Sequence, residues 1–253
     1  RKCIVQIVRA PSGGIRKHIL DIIVGCPQFD FILITNLDDA DPVFKEFYKN
    51  PSKNLKLITH CNITDKPSLK DISNLIYIYK ELKKYSIDII HGHGAKGGLY
   101  ARLLRPLVGS QIFYTAHGGS MHSMHGKIKN TVYRYVEKVL YYLTNTLVFE
   151  SQHSMLEYEN KVHSSSEKFV LNCNSVAIPE NFDRLKAKPI SKSHPIIIGA
   201  FGLLRHIKGH DILIEAMKEV IHIIPNVQLK IYGDGEEKLE LNKLITKLHL
   251  ENS

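Results

Sequence analysis

Short apolar segments alternate with segments of helical periodicity along most of the chain, and this alternation restricts the possible fold more than any other feature of the sequence. Runs rich in β-branched residues, such as residues 3–8 and 29–34, are each followed by a stretch in which apolar residues recur every three or four positions. Strands joined by helical crossovers form parallel sheets with both faces covered. The sequence therefore predicts an α/β fold built from doubly wound parallel sheets.

The same periodicities place the individual elements. Strands are predicted over residues 3–8, 29–34, 55–58, 87–91, 111–116, 146–149, 196–201 and 227–232. Helices are predicted over residues 14–24, 68–85, 95–107, 126–143, 151–161, 208–223 and 236–248.

A polar stretch with three prolines interrupts the alternation after Val170. Such a composition is typical of interdomain linkers. We therefore predict an N-terminal domain over residues 1–178, a linker over 179–194 and a second domain over 195–253. Two strand–helix units are too few to close a doubly wound sheet with protected edges, so the second domain is expected to be incomplete.

The formal net charge of +9 favours an anionic partner. Nucleic acid is one candidate, but the lysines are dispersed, tryptophan is absent, and no zinc-finger, helix-turn-helix or aromatic–basic motif is found. We predict no nucleic-acid binding. Phosphorylated small molecules and an anionic membrane surface remain as candidate partners.

The cysteines and the hydropathy pattern bear on location. Four cysteines are scattered without paired spacing, which favours reduced thiols, and no stretch of about 18 apolar residues offers a membrane span. The first residues lack the pattern of a signal peptide. The predicted location is cytoplasmic, with peripheral attachment to the inner face of the membrane as an option.

The segment GAFGLLRHIKGHDILIEA, residues 199–216, has the layout of an anion site. Gly202 ends a predicted strand, Arg205 and Lys208 lie in the following loop, and Gly209 opens an amphipathic helix. Backbone amides, a helix dipole and added cations then meet at one point, for which a diphosphate is the natural ligand. On spacing alone, a basic turn without a ligand is an equally good interpretation.

A second glycine-rich turn follows one strand–helix unit later, in the sequence LKIYGDGE of residues 229–236. Gly233, Asp234 and Gly235 lie where open α/β sheets bind ligands, at the carboxyl edge. A dinucleotide fingerprint needs a third glycine at the position of Lys238, so neither a nicotinamide nor a flavin cofactor is predicted.

Together, residues 202–216 and 229–235 resemble the group 1 glycosyltransferases, a retaining family with the GT-B fold of two Rossmann-like domains facing a cleft. The resemblance implies a hexosyl-type glycosyltransferase that takes a sugar from a UDP- or GDP-sugar. The implied acceptor is a glycan or a lipid-linked glycan, in cell-surface polysaccharide synthesis. It implies no metal and no cofactor, since the nucleotide-sugar is a substrate.

The N-terminal domain agrees with this resemblance at three places. Gly13 and Gly14 are similar to the family's glycine loop beneath the donor diphosphate. His93 belongs to a segment similar to the family's "Asp-x-x-His-x-His" strand and is expected to line the acceptor side. His117, in Tyr-Thr-Ala-His-Gly, matches the histidine that orients or deprotonates an acceptor hydroxyl or holds the donor sugar. The resemblance thus implies His117 and Lys208 as catalytic residues.

His91 and Asn174 of the N-terminal domain also belong to segments similar to family motifs. His91 and His93 point the same way on an extended strand, but no third ligand has suitable spacing, so no metal site is predicted. Asn174 resembles the asparagine of the family's "Asn-Gly-Val-Asp".

Two departures from the family pattern bear on activity. Leu203 stands where the family usually has an arginine for the donor phosphates, and Arg205 is a candidate replacement. The family's carboxyl-terminal pair of glutamates would lie beyond residue 253. The alternatives are a non-catalytic sugar-nucleotide or phosphate-binding module, an inactive fragment, and a related GT-B epimerase.

Two charged features each have two interpretations. The Asp39-Ala40-Asp41 segment is interpreted as an acidic loop and not as a metal-binding DxD motif. The helix at 126–143 carries an apolar and a basic face, which suits either a core helix or a helix on an anionic membrane; the core helix is favoured. Its apolar face comprises Ile128, Val132, Tyr135, Val136, Val139 and Leu143.

Overall fold

The computed structural model describes residues 1–117, 127–180 and 195–252. Most of the predicted linker, residues 181–194, lies outside the described residues, as does the first residue of the helix predicted from 126. The chain divides into two compact units, Arg1–Val176 and Ala177–Ser253, which we call unit 1 and unit 2.

Unit 1 is built on a seven-stranded parallel sheet with the strand order β3-β2-β1-β4-β5-β6-β7. The strands are β1 Cys3–Val8, β2 Asp30–Thr35, β3 Leu55–His60, β4 Ile89–His93, β5 Gln111–Thr115, β6 Thr146–Phe149 and β7 Phe169–Leu171. The helices are α1 Gly13–Gly25, α2 Pro42–Lys49, α3 Lys70–Leu82, α4 Gly94–Val108, α5 Lys127–Tyr141 and α6 Gln152–Lys161.

The central strands are apolar on both sides because helices cover both faces of the sheet. In β1, Val5 and Ile7 face one buried cluster, which includes Tyr100 of α4. Ile4 and Val8 face the other cluster. This two-sided core confirms the predicted α/β fold with a doubly wound parallel sheet.

The strand order reverses between β1 and β4, which are neighbours in the sheet although two strands separate them in the chain. In open parallel sheets, such a reversal leaves a crevice at the carboxyl ends of the two strands, where ligands bind. The expected binding region of unit 1 is therefore the edge at which β1, β4 and β5 end.

Two elements of unit 1 were not predicted. Asp41 is not simply part of an acidic loop: its side chain accepts from the amide of Phe44 at 2.9 Å and caps α2, with Pro42 at the start of the helix. Aspartate followed by proline is a common helix start. The short strand β7, which no strand prediction covered, pairs with β6 where the predicted alternation ends.

The apolar face predicted for α5 is exposed, so its interpretation as a core face is wrong. Ile128 is 83% exposed and Tyr135 is 68% exposed, and the rest of this face is at least partly open to solvent. Packing anchors α5 instead through its last turns, where the buried Glu137 pairs with the fully buried Arg102 of α4 at 2.7 Å. Among the described residues, no helix is long and apolar enough to cross a membrane.

Unit 2 contains a two-stranded parallel sheet and two helices. Its elements are β8 Ile196–Phe201, α7 His210–Ile223, β9 Val227–Tyr232 and α8 Lys238–Lys247, with a 3-10 turn over His206–Lys208. Both helices pack on one side of the sheet through Ile214, Met217 and Leu241. On the sheet, Phe201 and Tyr232 stack on each other and remain exposed.

Candidate functional site

His117 lies directly after β5, at the edge of the sheet where ligands are expected, and its backbone is left-handed with φ of 50°. A residue with a side chain adopts this conformation at a cost of roughly 1 kcal/mol or more, and such residues concentrate at functional sites. Its Nδ1 lies 2.8 Å from Oε2 of Glu150, and its Nε2 lies 3.0 Å from Nδ1 of His93. These two contacts hold the ring in place.

Burial keeps the histidines of β4 neutral. His93 is 1% exposed, and burial, with smaller contributions from His91, His117 and His18, lowers its pKa well below the usual value. Its Nε2 lies 2.5 Å from Oε1 of Gln6 on β1. Burial also lowers the pKa of His91 to about 3.

A further histidine reaches this region from α1. The His18 ring lies edge-on to His117, with ring centroids 4.9 Å apart. Its Nδ1 lies 3.0 Å from Oδ1 of Asn174, whereas its Nε2 is buried with no hydrogen-bond partner among the described residues. Burial is the main cause that lowers the pKa of His18.

Glu150, which follows β6, is the carboxylate of this group. Besides His117, it accepts a hydrogen bond from Nδ2 of Asn174 at 2.8 Å. Burial acts to raise its pKa, but the hydrogen bonds and charges of its neighbours, His117 first, lower it overall. We call His18, His91, His93, His117 and Glu150 the histidine cluster.

Three rings of the histidine cluster also have the spacing of a metal-ligand set. One nitrogen from each of His18, His93 and His117 lies within 4.8 Å of the others, and imidazoles so arranged suit Zn²⁺. In this structure, however, Nδ1 of His93 and Nε2 of His117 are hydrogen-bonded to each other. The sequence-based expectation of no metal stays a prediction.

The glycine loop at the start of α1 already holds an anionic group from the protein. The amide of Gly13, which has φ of 55°, donates to Oδ2 of Asp41 at 2.9 Å, and Arg16 pairs with the same carboxylate. Burial raises the pKa of Asp41, but hydrogen bonds from Phe44 and Gly13 and the charge of Arg16 lower it overall. A phosphate at Gly13 would therefore have to share this amide with Asp41.

In unit 2, the predicted anion site is open to solvent. Arg205 and Lys208 are exposed, and the buried Leu204 fixes the loop that carries them. Gly209 begins α7 in the left-handed conformation and supplies no side-chain cap. Arg205 and Lys208 precede α7 directly in the chain, and the first amides of a helix favour an anion.

Packing within unit 2 explains why residues 233 and 235 are glycines. A Cβ at Gly233 would lie 1.8 Å from the carbonyl oxygen of Gly202, and one at Gly235 would lie 2.4 Å from that of Leu204. The two turns of unit 2 therefore require glycine in order to pack together. Between them, the Asp234 side chain is exposed and lies 3.4 Å from Lys238.

Two family models match the chain: Glycosyl transferase 4-like over residues 46–151 and Glycosyl transferases group 1 over residues 181–253. In these two segments the chain is similar to glycosyltransferase families. The first match includes His93, His117 and Glu150, and the second includes the loop with Lys208.

Curated relatives of this chain include two Escherichia coli proteins. One is the UDP-Gal:alpha-D-GlcNAc-diphosphoundecaprenol alpha-1,3-galactosyltransferase, 28% identical over 92% of this chain and 61% of the relative. The other is the O-antigen biosynthesis glycosyltransferase WbnH, 28% identical over 68% of this chain and 48% of the relative. The chain thus spans about three fifths or less of the length of these relatives.

Solved structures show that the chain has the GT-B fold. Anabaena Alr3699/HepE in complex with UDP and glucose aligns with all of this chain and 68% of its own, with a TM-score of 0.75 and 20% identity. Acinetobacter baumannii MurG aligns with all of this chain and 66% of its own, with a TM-score of 0.54 and 16% identity.

Sequence reasoning about this chain missed part of the site. It named His93 and His117, which the structure brings together, but not Gln6, His18 or Glu150. A signal for Glu150 was present, because it directly follows a predicted strand and the carboxyl ends of parallel strands share one edge. The predicted donor residues of residues 202–209 belong to unit 2, while the histidine cluster belongs to unit 1.

Proposed function

We propose that the chain acts in an enzyme that transfers a hexosyl group from a nucleotide-sugar, UDP- or GDP-linked, to a glycan on a lipid carrier, with retention of configuration and in cell-surface polysaccharide synthesis. The family supports the reaction class. The name of the Escherichia coli relative, with its UDP-galactose donor and diphosphoundecaprenol acceptor, supports the donor and acceptor classes.

One observation carries this proposal: the left-handed, doubly hydrogen-bonded His117 at the carboxyl edge of the sheet in unit 1. A strained backbone that holds an imidazole between a carboxylate and a second imidazole is costly to maintain for packing alone. The ring is suited to orienting a sugar or acceptor hydroxyl. Since both nitrogens are engaged, a substrate hydroxyl would replace the contact between Nε2 and His93.

The donor diphosphate is proposed to bind in unit 2, at the start of α7. Lys208 and Arg205 would neutralise its charge, and the uncapped amides of α7 would donate to its oxygens. Charge develops on the diphosphate as the sugar bond breaks, so these fixed donors stabilise the leaving group. Arg205 would take the role of the arginine that is replaced by Leu203.

Transfer is tested with the 253-residue chain, a panel of UDP- and GDP-sugars, and an undecaprenyl-diphosphate-linked sugar as acceptor. We expect one donor to give acceptor-dependent release of nucleoside diphosphate and a product of the same anomeric configuration. Binding without release would indicate the non-catalytic module, and release without acceptor would indicate an epimerase. Either result contradicts transfer by this chain.

The exposed face of α5 supports a peripheral position on a membrane, where a lipid-linked acceptor resides. Ile128, Val132, Tyr135 and Val139 of this face are each more than half exposed. Lys129, Arg134 and Lys138 belong to the same helix. An amphipathic helix with basic residues binds at anionic headgroups, and we propose the cytoplasmic face of the membrane as the location.

A sedimentation assay tests this position. Vesicles with about 30% phosphatidylglycerol should retain the chain at low salt and release it at high salt. Replacing Ile128 and Tyr135 by serine should weaken retention several-fold, whereas Ile72→Ser, an exposed apolar position on α3, should not. Equal retention of both variants would contradict a role for α5.

A further inference from the structure

Glu150 controls the proton positions of two rings. A carboxylate with a lowered pKa only accepts hydrogen bonds, so Nδ1 of His117, at 2.8 Å, carries a hydrogen. Asn174 donates to Glu150 through Nδ2, which turns its oxygen toward Nδ1 of His18 at 3.0 Å. That nitrogen also carries a hydrogen, and the same carboxylate lies 3.5 Å from it.

These assignments leave Nε2 of both rings without a hydrogen in their neutral forms. Nε2 of His117 then accepts from Nδ1 of His93. His93 in turn accepts at Nε2 from the Gln6 amide when that amide is rotated to present its NH₂ group, which otherwise has no partner in the part of the chain that the structure describes. The result is a directed chain of hydrogen bonds from Gln6 to Glu150.

The other titratable groups that face the two rings are two buried imidazoles and one more distant carboxylate. His91 and His93 on β4 face His117 and His18, and burial lowers the pKa of both β4 histidines. Asp21 on α1 adds a more distant negative charge near His18. Within this set, Glu150 is the group that contacts His117 and, directly and through Asn174, His18.

We propose that Glu150 is a positioning residue: it holds His117 and His18 with hydrogen on Nδ1, so that both Nε2 atoms can accept a hydrogen bond from a substrate hydroxyl. This inference rests on the proposed transferase function. Glu150 acts through the two rings and is not assigned a contact with substrate. Orientation of an imidazole by a buried carboxylate is an established catalytic device, and its loss leaves the ring in the wrong tautomer.

The test is Glu150→Gln, which keeps the shape and removes the charge, with two readouts. Nitrogen-15 spectra of the imidazoles should show hydrogen on Nδ1 of His117 and His18 in the parent chain and a mixture of tautomers in the variant. For transfer, kcat should fall by roughly 100-fold, with KM for the donor changed by less than about threefold. Glu157→Gln, on α6 and paired with Lys161, is the matched control and should change neither readout.

A second variant separates the two rings. Asn174→Ala should change the tautomer of His18 alone and leave that of His117 intact. If Glu150→Gln fails to fold, Asn174→Ala still tests whether the contacts of Glu150 set the tautomer of His18. Unchanged tautomers in a folded Glu150→Gln variant, or an unchanged kcat, would overturn the proposal. If the parent chain shows no transfer, the proposed function fails, whereas the spectra still decide whether Glu150 sets the tautomers.

Discussion

The two units of the chain use the same strand–helix alternation but prepare their candidate sites in different ways. In unit 1, a sheet covered on both faces buries the histidine cluster and fixes each ring by hydrogen bonds. In unit 2, the helices cover one side, the loop with Arg205 and Lys208 is exposed, and a cavity of about 290 Å³ borders the core. One site is organised by packing, and the other by charge and a helix end.

The comparison indicates which interactions should determine stability and binding in each unit. Packing and buried polar contacts should dominate the behaviour of unit 1, because few of its central groups reach water. In unit 2, backbone fit should decide the shape of the loop, and exposed charges should decide what it binds. Each of these statements can be tested by a single substitution with a matched control.

The largest effect is expected from Glu137→Gln in unit 1. The change leaves the fully buried Arg102 without its charged partner, and breaking a buried pair costs about 3–5 kcal/mol. Urea denaturation followed by circular dichroism measures the free energy of unfolding. Glu157→Gln, which removes a partly exposed ion pair with Lys161, should stay close to the parent chain. Similar free energies of unfolding for both variants would contradict a packing-dominated unit 1.

The next largest loss of stability is expected in unit 2, from Gly233→Ala. Its Cβ would meet the carbonyl oxygen of Gly202 at 1.8 Å, so the two turns must separate, at about 1–3 kcal/mol. Gly14→Ala is the matched control, because no atom of the described residues lies within 4 Å of the added carbon. Thermal denaturation compares them; if Gly233→Ala is as stable as Gly14→Ala, backbone fit does not shape this loop.

Acid should destabilise unit 1 already between pH 7 and pH 5. Unfolded histidine binds a proton near pH 6.5, whereas His91, with a pKa of about 3, and His93 stay neutral in the fold. The unfolded state therefore gains protons as the pH falls from 7 to 5, and stability drops with acid. Each such histidine contributes about 1.4 kcal/mol per pH unit once its unfolded form is protonated.

His91→Asn should remove the contribution of one histidine to the dependence of the free energy of unfolding on pH. The variant should still fold, because asparagine offers Thr115 a hydrogen-bonding partner. The exposed His153→Asn should leave the slope unchanged. The lowered pKa values of Asp41 and Glu150 act in the same direction but only nearer pH 4, so they do not contribute in this window. Free energies of unfolding measured at several pH values would show equal slopes if burial of His91 were unimportant.

The smallest effect is expected in the affinity of unit 2 for a nucleoside diphosphate. Lys208→Ala removes one charge-assisted hydrogen bond beside the start of α7, which should weaken UDP binding by about tenfold. Lys218→Ala, on the same helix and also exposed, is the charge-matched control. Calorimetric titration in which both variants bind like the parent chain would remove Lys208 from the proposed site.

Much of this architecture follows from periodicity in the sequence. The strands at 146–149, 196–201 and 227–232 have the predicted bounds, because apolar β-branched runs between turn residues give a clear signal. The helix α2 was missed although the Asp41-Pro42 pair is a readable start signal. For α5, the apolar stripe was visible, but a stripe does not reveal whether another element covers it.

The histidine cluster was predictable only in part. His93 ends β4, and His117 lies two residues beyond the end of the neighbouring strand β5, so their proximity follows from a parallel sheet. The contact of His18 with Asn174 joins residues 156 positions apart in the chain, and it depends on how α1 rotates against the sheet. No local pattern records that rotation, and the role of Glu150 as the shared acceptor follows only from three-dimensional distances.

The left-handed backbone at His117 has a consequence for how this position would tolerate change. In a saturation library selected for folding, glycine, asparagine and aspartate should be enriched at residue 117, because they accept positive φ most readily. A library selected for sugar transfer should retain only histidine if the ring is needed. Amino acids that the first selection accepts and the second rejects would be those that suit the backbone but not the reaction. The stability difference between such variants and the parent chain is the cost of having histidine at residue 117.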